Sequence, residues 1–237
     1  MFGRLVKSLG LSAEEEEGSV GVTDERLIRK FTDNPEFPYL VSFPRTGSHW
    51  LRLLMELYFG KPSLVRAFYT ENPTDFTCCH SHDDDLALRR RNVIYLYRNP
   101  VPTIYSQLQY YKENCDDRER IAHWAAQYGR HLMKWLATDD FTARKTVVTY
   151  EGLKSNLAAE FEKICRHLDA PFDPERLRQA AGRVSKEDLK RKTRHDQQVV
   201  NLSRAYDDER EAFCARHAAF VMETVIGEDP ALRALWA

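Results

Sequence analysis

The sequence lacks any long hydrophobic run. No stretch of its 237 residues approaches the roughly 20 apolar residues that a membrane-spanning helix needs. The first residues also lack the apolar segment of a secretory signal peptide. The five cysteines are odd in number and show no C-x-x-C spacing, which argues against a disulfide framework and favours reduced thiols. These absences predict a cytoplasmic protein without a transmembrane segment.

The sequence also lacks an excess of charge of one sign. Charged residues make up 30% of the chain, yet the formal net charge is only −1, so no nucleic-acid partner is indicated. A metal site is not indicated either. His80 and His82 are separated by one residue, but a third and fourth ligand with zinc-type spacing are missing. Any affinity for anions must therefore come from local groups of basic residues.

Length and hydrophobic patterning predict one α/β domain. We expect residues 1–22 to form a flexible N-terminal segment, because an acidic run at 14–17 is followed by two glycines. Residues 23–237 are expected to form a single domain, since the chain is long enough for one substantial core. Short apolar runs alternate with amphipathic stretches, which predicts a three-layer sandwich with a central parallel sheet.

One stretch, Tyr39–Phe59, combines a buried strand, a tight turn and an amphipathic helix. Pro44 ends the strand, Gly47 permits a backbone conformation that other residues resist, and Ser48 is the predicted N-cap. The free amides at the start of such a helix attract phosphate or sulfate, and Arg45 adds a positive charge. A nucleotide-binding P-loop would also need an earlier glycine and a lysine, and this turn has neither.

Two further strand ends carry polar residues suited to anion chemistry. A short apolar run at 75–80 leads into His82, and the strand at 92–97 leads into Arg98. P-loop enzymes usually place an Asp that holds Mg²⁺ at a strand end of this kind, whereas an Arg binds an anion directly. In open α/β sheets ligands bind at the carboxyl edge, so we expect these residues to meet there.

These segments together resemble the sulfotransferases that use 3′-phosphoadenosine-5′-phosphosulfate (PAPS). The stretch at 42–51 is similar to their 5′-phosphosulfate loop, and 80–82 is similar to the segment whose His is the catalytic base. Arg98 followed eight residues later by Ser106 matches the spacing of the family's 3′-phosphate clamp. The stretch around Tyr150 resembles a fourth family segment. The resemblance covers about residues 37–168.

The resemblance implies a P-loop-NTPase-like sulfotransferase fold and transfer of a sulfuryl group, without a metal, from PAPS to a hydroxyl or amine of a small molecule or saccharide. It implies His82 as the base, with Glu71 as a second candidate, and Arg45 as the group that stabilises the leaving oxygen. His80 stands where the family has a Lys, so the additional positive charge depends on whether His80 is protonated. The cofactor-binding residues implied are Arg45, Thr46, Gly47, Ser48, His49, Trp50, Arg98, Ser106, Tyr150, Arg191, Lys192 and Arg194.

Two other functions explain part of the pattern. A P-loop kinase would account for the strand, turn and helix, but it would require Mg²⁺ and the absent Lys. A non-catalytic nucleotide- or anion-binding homologue would account for the absent Lys and for His80. The basic run that contains Arg191, Lys192 and Arg194 also suits an ordinary solvated surface. Nothing in the sequence identifies the acceptor.

Overall fold

The computed structural model describes residues 19–138, 142–193, 200–201, 203–227 and 229–235. Four parallel strands form its central sheet, in the spatial order β4-β2-β5-β6. A two-stranded antiparallel sheet lies apart from it, between β1 and β3. The strands are β1 (Val20–Gly21), β2 (Tyr39–Ser42), β3 (Arg66–Ala67), β4 (Cys79–Ser81), β5 (Asn92–Tyr97) and β6 (Arg144–Thr149).

Helices connect these strands and cover both faces of the central sheet. In chain order the described helices are α1 (Glu25–Thr32), α2 (Ser48–Phe59), α3 (Pro100–Tyr111), α4 (Arg118–Leu132), α5 (Tyr150–Ser155), α6 (Leu157–His167), α7 (Pro174–Gly182), α8 (Lys186–Lys192), α9 (Arg204–Ile226) and α10 (Pro230–Ala234). A π-helical turn, Met133–Ala137, extends α4.

Alternation along the central strand β5 divides the core into two layers. Tyr95 packs on one face of the sheet with residues of α3, α4 and α9. Ile94 and Leu96 pack on the other face with residues of α2, α6 and α7. Successive side chains of a strand point to opposite faces, so one apolar strand supports both layers. This arrangement confirms the predicted three-layer α/β sandwich.

The first described residues differ from the sequence prediction. Residues 19–22 were expected to belong to a flexible segment, but Val20–Gly21 pairs with Arg66–Ala67 as β1 and β3. Val22 packs into the core, and its amide donates to the Val65 carbonyl over 3.3 Å. The paired backbone and the buried valine hold this stretch in place, so ordered structure begins before residue 23. Residues 1–18 lie outside the described part of the chain.

Glu56, near the end of α2, is a buried charge with a structural role. Its carboxylate accepts hydrogen bonds of 2.8 Å from the backbone amides of Phe68, Tyr69 and Thr70, and the residue is only 2% exposed. Three amide donors can replace the water that a buried carboxylate loses. The carboxylate therefore fastens the segment after β3 to helix α2.

Replacement of Glu56 by Gln is expected to reduce the free energy of unfolding by about 3 kcal/mol, because the Gln amide group turns an N–H donor toward backbone donors. Urea unfolding followed by circular dichroism measures the change. Glu71→Gln is the matched control, since Glu71 is an exposed carboxylate close by in sequence and should change the value by less than about 0.5 kcal/mol. Equal midpoints for both variants would contradict a structural role for the Glu56 carboxylate.

Candidate functional site

The carboxyl edge of the sheet gathers residues from four separate parts of the chain. The turn before α2 follows β2, His82 follows β4, Arg98 follows β5 and Tyr150 follows β6. All four strands are parallel, so their carboxyl ends meet at one edge. The residues that follow the strands line a common cavity of about 1120 Å³.

The turn after β2 has two residues in the left-handed region, Arg45 with φ +69° and Gly47 with φ +96°. Gly47, and not the predicted Ser48, is the N-cap of α2, and it provides no side-chain cap. A Cβ on Gly47 would lie 2.6 Å from Cδ2 of Tyr150, so both the conformation and the close approach require glycine. The start of α2 is therefore left open toward the cavity as a site for an anion.

Side chains of the same turn hold it in place. Thr46 is fully buried, and its hydroxyl donates to the Phe43 carbonyl over 2.7 Å, so this side chain braces the turn. The Arg45 guanidinium carbon lies 5.0 Å from the centre of the Tyr110 ring on α3. The face of an aromatic ring attracts a cation, so Tyr110 holds the Arg45 guanidinium at the cavity wall.

Arg98 forms the second positive pocket, beside the turn. Its Nη1 donates to the Arg45 carbonyl over 3.3 Å, and its guanidinium carbon lies 4.5 Å from the centre of the Tyr150 ring. Its Nε is buried and has no hydrogen-bond partner among the described residues. A buried guanidinium N–H without an acceptor is costly, so this atom is suited to receive an anion. The structure thus places the two predicted anion pockets side by side.

Ser106, in the second half of α3, lines the cavity beside a residue that sequence reasoning did not select. Its hydroxyl oxygen lies 2.9 Å from the Pro102 carbonyl and 2.8 Å from the Tyr206 hydroxyl of α9. Tyr206 lines the same cavity, as does Arg210 one turn further along α9. The long C-terminal helix therefore forms one wall of the site.

His82 has the geometry of a neutral base. Its Nδ1 lies 2.7 Å from the Ser42 carbonyl oxygen, which only accepts, so Nδ1 carries the proton and Nε2 carries the lone pair. Burial lowers the pKa of His82 below its usual value, against a smaller opposing effect of the Ser42 bond. His82 is therefore unprotonated near neutral pH, and it lines the cavity.

The neighbouring His80 cannot supply the charge of the lysine that the family has at this position. Its ring is buried, and burial, followed by the nearby Arg52 guanidinium, moves its pKa well below the usual value. Its Nε2 lies 3.4 Å from the Ser42 hydroxyl. His80 is therefore neutral and packs against His82 with ring centres 4.8 Å apart.

A second buried histidine fixes the backbone of His82. The His131 Nε2 lies 2.9 Å from the His82 carbonyl, and its Nδ1 lies 2.9 Å from the Tyr95 hydroxyl. The carbonyl can only accept, so Nε2 carries the proton and Nδ1 accepts from Tyr95. Burial lowers the pKa of His131 to about 4. A neutral histidine therefore holds the position of the candidate base.

Most of the predicted site residues line the cavity. Those brought together there are Arg45, Gly47, Ser48, His49, Trp50, His82, Arg98, Ser106 and Tyr150. The side chain of Thr46 turns into the protein, as described above. Glu71 is exposed and is not among the lining residues. The structure thus brings His82, and not Glu71, to the anion pockets.

The basic run in and after α8 is arranged differently from the prediction. Arg191 pairs with Asp188 over 2.6 Å, and the Lys192 ammonium lies 4.9 Å from the centre of the Tyr69 ring; neither residue lines the cavity. Lys186 and Lys190, one turn apart, line it instead. Arg194 lies outside the described residues. Four-residue spacing marks one helix face, but the sequence alone does not show which face is turned inward.

The cavity lining is strongly basic. Among the described residues, seven lining side chains are lysine or arginine and two are aspartate, a formal excess of five positive charges in a chain of net charge −1. Such focused charge favours a ligand with several negative charges. The basic lining residues are Arg45, Arg98, Lys112, Lys154, Lys186, Lys190 and Arg210.

Among the residues that the structure describes, no group of three or more His, Cys, Asp or Glu side chains could hold a metal ion. Within the same residues, no helix combines the length and the apolar character needed to span a bilayer.

Comparison with known families identifies the class of protein. The model of the sulfotransferase domain family matches residues 65–218, which is more than half of the chain. The chain therefore belongs to the sulfotransferase domain family, and the family predicted from the sequence is confirmed. The matched stretch contains His82, Arg98, Ser106 and Tyr150, whereas the turn at Arg45 precedes it. A comparison with curated proteins finds no match.

Solved structures show the same fold. Mouse sulfotransferase SULT7A1 complexed with PAP has a TM-score of 0.57 at 15% sequence identity, over 90% of this chain and 93% of that one. Retinol dehydratase in complex with androsterone and the inactive cofactor PAP has a TM-score of 0.54 at 11% identity, over 83% and 82% of the two chains. These likenesses confirm the predicted sulfotransferase fold.

Proposed function

We propose that this protein transfers a sulfuryl group from PAPS to a hydroxyl or amine of a small-molecule or saccharide acceptor, with His82 as the base. The observation that carries the proposal is the contact between the two anion pockets, where Arg98 Nη1 lies 3.3 Å from the Arg45 carbonyl. A ligand with negative charge at both ends of one nucleoside suits adjacent pockets of this kind. The two similar structures are both described with PAP, the product left by PAPS.

The residues present fit this donor. The uncapped start of α2 and Arg45 suit the 5′-phosphosulfate, since backbone amides and a guanidinium together bind such oxyanions. The buried Nε of Arg98 lacks an acceptor within the described residues and suits the 3′-phosphate. Trp50 and Tyr150, with ring centres 6.1 Å apart, offer apolar faces to the adenosine. When bound, PAPS supplies the sulfuryl group that is transferred.

In the proposed reaction, His82 Nε2 accepts the proton of the acceptor hydroxyl or amine. The acceptor oxygen or nitrogen forms a bond to sulfur, in line with the bond from sulfur to the 5′-phosphate oxygen, which breaks. Arg45 and the first amides of α2 stabilise the negative charge that develops on that oxygen. Arg45 acts only as a charge, since an Arg has a pKa above about 12 and gives no proton.

The acceptor would enter from the side of the cavity formed by α3 and α4. Tyr110 and Tyr111 of α3 and Trp124 and Gln127 of α4 line this side. The Tyr111 and Trp124 rings are stacked with centres 5.0 Å apart, and Tyr111 is more than half exposed. Aromatic faces beside an amide suit an acceptor with both apolar and hydroxyl groups, in agreement with the proposed class.

Thermal unfolding with PAP, ATP and ATP plus Mg²⁺ tests the donor site. At 100 times the Kd, PAP stabilises the protein by about 2.7 kcal/mol, which corresponds to a rise in Tm of about 5 to 10 °C for a chain of this size. Arg98→Ala should abolish most of this rise, because the 3′-phosphate loses its cation. A rise with ATP only when Mg²⁺ is present would favour a P-loop kinase and contradict the proposal.

Transfer of radiolabelled sulfate from PAPS to a panel of phenols, alcohols, amines and saccharides tests the reaction itself. We expect a labelled product from at least one polar acceptor class, and its formation should not require added Mg²⁺. Binding of PAP without transfer to any member of a broad panel would favour the non-catalytic homologue.

A further inference from the structure

Tyr206 lies against the residue to which the family resemblance assigns the 3′-phosphate. It is in the first turn of α9, 100 residues after Ser106, and its hydroxyl oxygen is 2.8 Å from the Ser106 hydroxyl oxygen. Both residues line the cavity. The two hydroxyls are therefore the candidate hydrogen-bond donors to an anion bound between α3 and α9.

Counting protons shows which hydroxyl is available to such an anion. A serine hydroxyl has one proton. The Ser106 hydroxyl donates this proton to the carbonyl of Pro102, which lies in the preceding turn of the same helix, over 2.9 Å. The Ser106 oxygen therefore acts as the acceptor in its contact with Tyr206, and Tyr206 is the donor. A phosphate oxygen only accepts, so Ser106 could bind it only by giving up the Pro102 carbonyl.

Tyr206 does not have this difficulty. Its proton already points to the Ser106 oxygen. When a phosphate binds, the Tyr206 hydroxyl would donate to a charged phosphate oxygen instead of this neutral hydroxyl oxygen. Hydrogen bonds to charged acceptors are roughly twice as strong as those between neutral groups. The exchange therefore favours the phosphate complex.

Charged groups of α9 lie on the same cavity wall as Tyr206. Arg210 lines this wall and pairs over 2.9 Å with Asp207, which also lines it. Residues 206, 210 and 214 are four apart and follow one stripe of the helix. Arg210 lines the cavity together with Tyr206, and Arg98, directly after β5, lines the same cavity. Arg98 therefore shares this cavity with α9 as well as with the turn at Arg45. A 3′-phosphate held by Arg98 would occupy the cavity that Tyr206 also lines.

We propose that the Tyr206 hydroxyl is a direct ligand of the donor's 3′-phosphate, and that Ser106 serves mainly to orient it. This inference rests on the proposed function, because it requires a donor with a 3′-phosphate. It assigns a cofactor-binding role to the C-terminal helix, and it predicts that α9 takes part in distinguishing PAPS from adenosine 5′-phosphosulfate, which lacks that phosphate.

Isothermal titration of PAP and of adenosine 5′-phosphosulfate into Tyr206→Phe tests the inference. Loss of a hydrogen bond to a charged group should weaken PAP binding by about 10- to 100-fold. Binding of adenosine 5′-phosphosulfate should change by less than about twofold. Ser106→Ala should weaken PAP binding less than Tyr206→Phe does, since the Ser106 proton is already used by Pro102.

Tyr105→Phe is the matched control. The Tyr105 hydroxyl donates to Glu209 of α9 over 3.2 Å, and its ring centre lies 5.2 Å from that of Tyr206, but Tyr105 does not line the cavity. Like Tyr206→Phe, the Tyr105→Phe variant removes a phenolic oxygen between α3 and α9. It should leave the ratio of the affinities for PAP and adenosine 5′-phosphosulfate unchanged.

Three results would overturn the inference. They are unchanged PAP affinity in Tyr206→Phe, an equal loss for both nucleotides, and a larger loss in Ser106→Ala than in Tyr206→Phe. If the unmodified protein does not bind PAP at all, the donor assignment itself fails, and the titration of the unmodified protein distinguishes that failure from the others.

Discussion

Replacement of His82 by Ala is expected to lower kcat/KM for sulfuryl transfer by about 10²- to 10⁴-fold, the range in which a positioned general base contributes. The structure supports this expectation through one hydrogen bond. Nδ1 of His82 donates to the Ser42 carbonyl, which leaves the Nε2 lone pair as the basic atom of the ring. Loss of the ring removes the base, while the anion pockets at Arg45 and Arg98 remain. PAP affinity should therefore change little.

Glu71→Ala is the comparison for this variant, because Glu71 is the other candidate base. It is exposed and does not line the cavity, so its loss should leave kcat/KM within about twofold of the original value. Both variants can be assayed with labelled PAPS and one active acceptor. A strong loss of kcat/KM in Glu71→Ala, together with near-normal turnover in His82→Ala, would assign the role of base to Glu71 instead of His82.

The pH dependence of the reaction gives an independent test of His82 as the proposed base. Burial lowers its pKa below the ordinary value of about 6.5, so the base is unprotonated at neutral pH. We expect kcat/KM to remain constant as the pH falls from about 8 to about 6.5 and to decrease only below that value. An inflection well above pH 7 would contradict a lowered pKa at His82.

Stability also changes in the acid range, so unfolding must be measured in the same buffers. The folded-state pKa values of His131 and His167 are about 4. In the unfolded chain these rings bind protons from about pH 6.5 downward, so the unfolded state gains more protons than the folded state. Stability is therefore fully present above about pH 6.5 and declines as the pH falls toward 4. Comparison of the two profiles separates loss of the base from loss of the fold.

Replacement of Arg45 by Ala is expected to lower kcat by about 10²- to 10³-fold, the cost of removing one well-placed group that stabilises a developing oxyanion. Arg45 lines the cavity, and its guanidinium is held over the Tyr110 ring. The charge it stabilises grows on the leaving oxygen during transfer, so the effect should fall mainly on kcat. Single-turnover assays with labelled PAPS measure this step directly.

Two control variants separate the charge at residue 45 from other effects. Lys has a Cβ as Arg does, so the backbone strain from the positive φ at residue 45 is the same in Arg45→Lys. This variant keeps a positive charge and should therefore retain part of the activity. Lys112→Ala removes another cavity-lining cation and should lower kcat by less than tenfold. Equal activity in Arg45→Ala and the unmodified protein would exclude Arg45 from charge stabilisation.

Local patterns in the sequence were sufficient to predict the central strand and the strand, turn and helix at 39–59. The strand predicted at 92–97 is β5, and the turn and helix predicted within 39–59 are present with the strand at Tyr39–Ser42 and the helix at Ser48–Phe59. Both predictions rely on periodicity and on Pro and Gly, which act within a few residues.

The site was predictable where its residues follow strands directly. Parallel strands bring their carboxyl ends to one edge, so His82, Arg98 and the turn at Gly47 could be placed together without coordinates. Tyr206 and Lys186 could not be found in this way. They come from helices whose inward faces depend on packing against α3 and α2, and neither has a local signal in the sequence.

The protonation state of His80 was also beyond the sequence. The pair of histidines is visible there, but only burial shows that both rings are neutral. The identity of the N-cap was wrong for a similar reason. Ser48 has the preferred side chain for that position, yet the N-cap lies one residue earlier, at Gly47, where Tyr150, about 100 residues away, leaves no room for a Cβ.

The close approach of Gly47 to Tyr150 also constrains how this turn can change. A methyl group at 47 would need the space that the Tyr150 ring fills, while that ring also lies against Arg98. A substitution at 47 is therefore coupled to one at 150, and a smaller residue at 150 would in turn leave the Arg98 guanidinium without its aromatic support. A single substitution at 47 or 150 would therefore also disturb the contacts that position the Arg98 guanidinium.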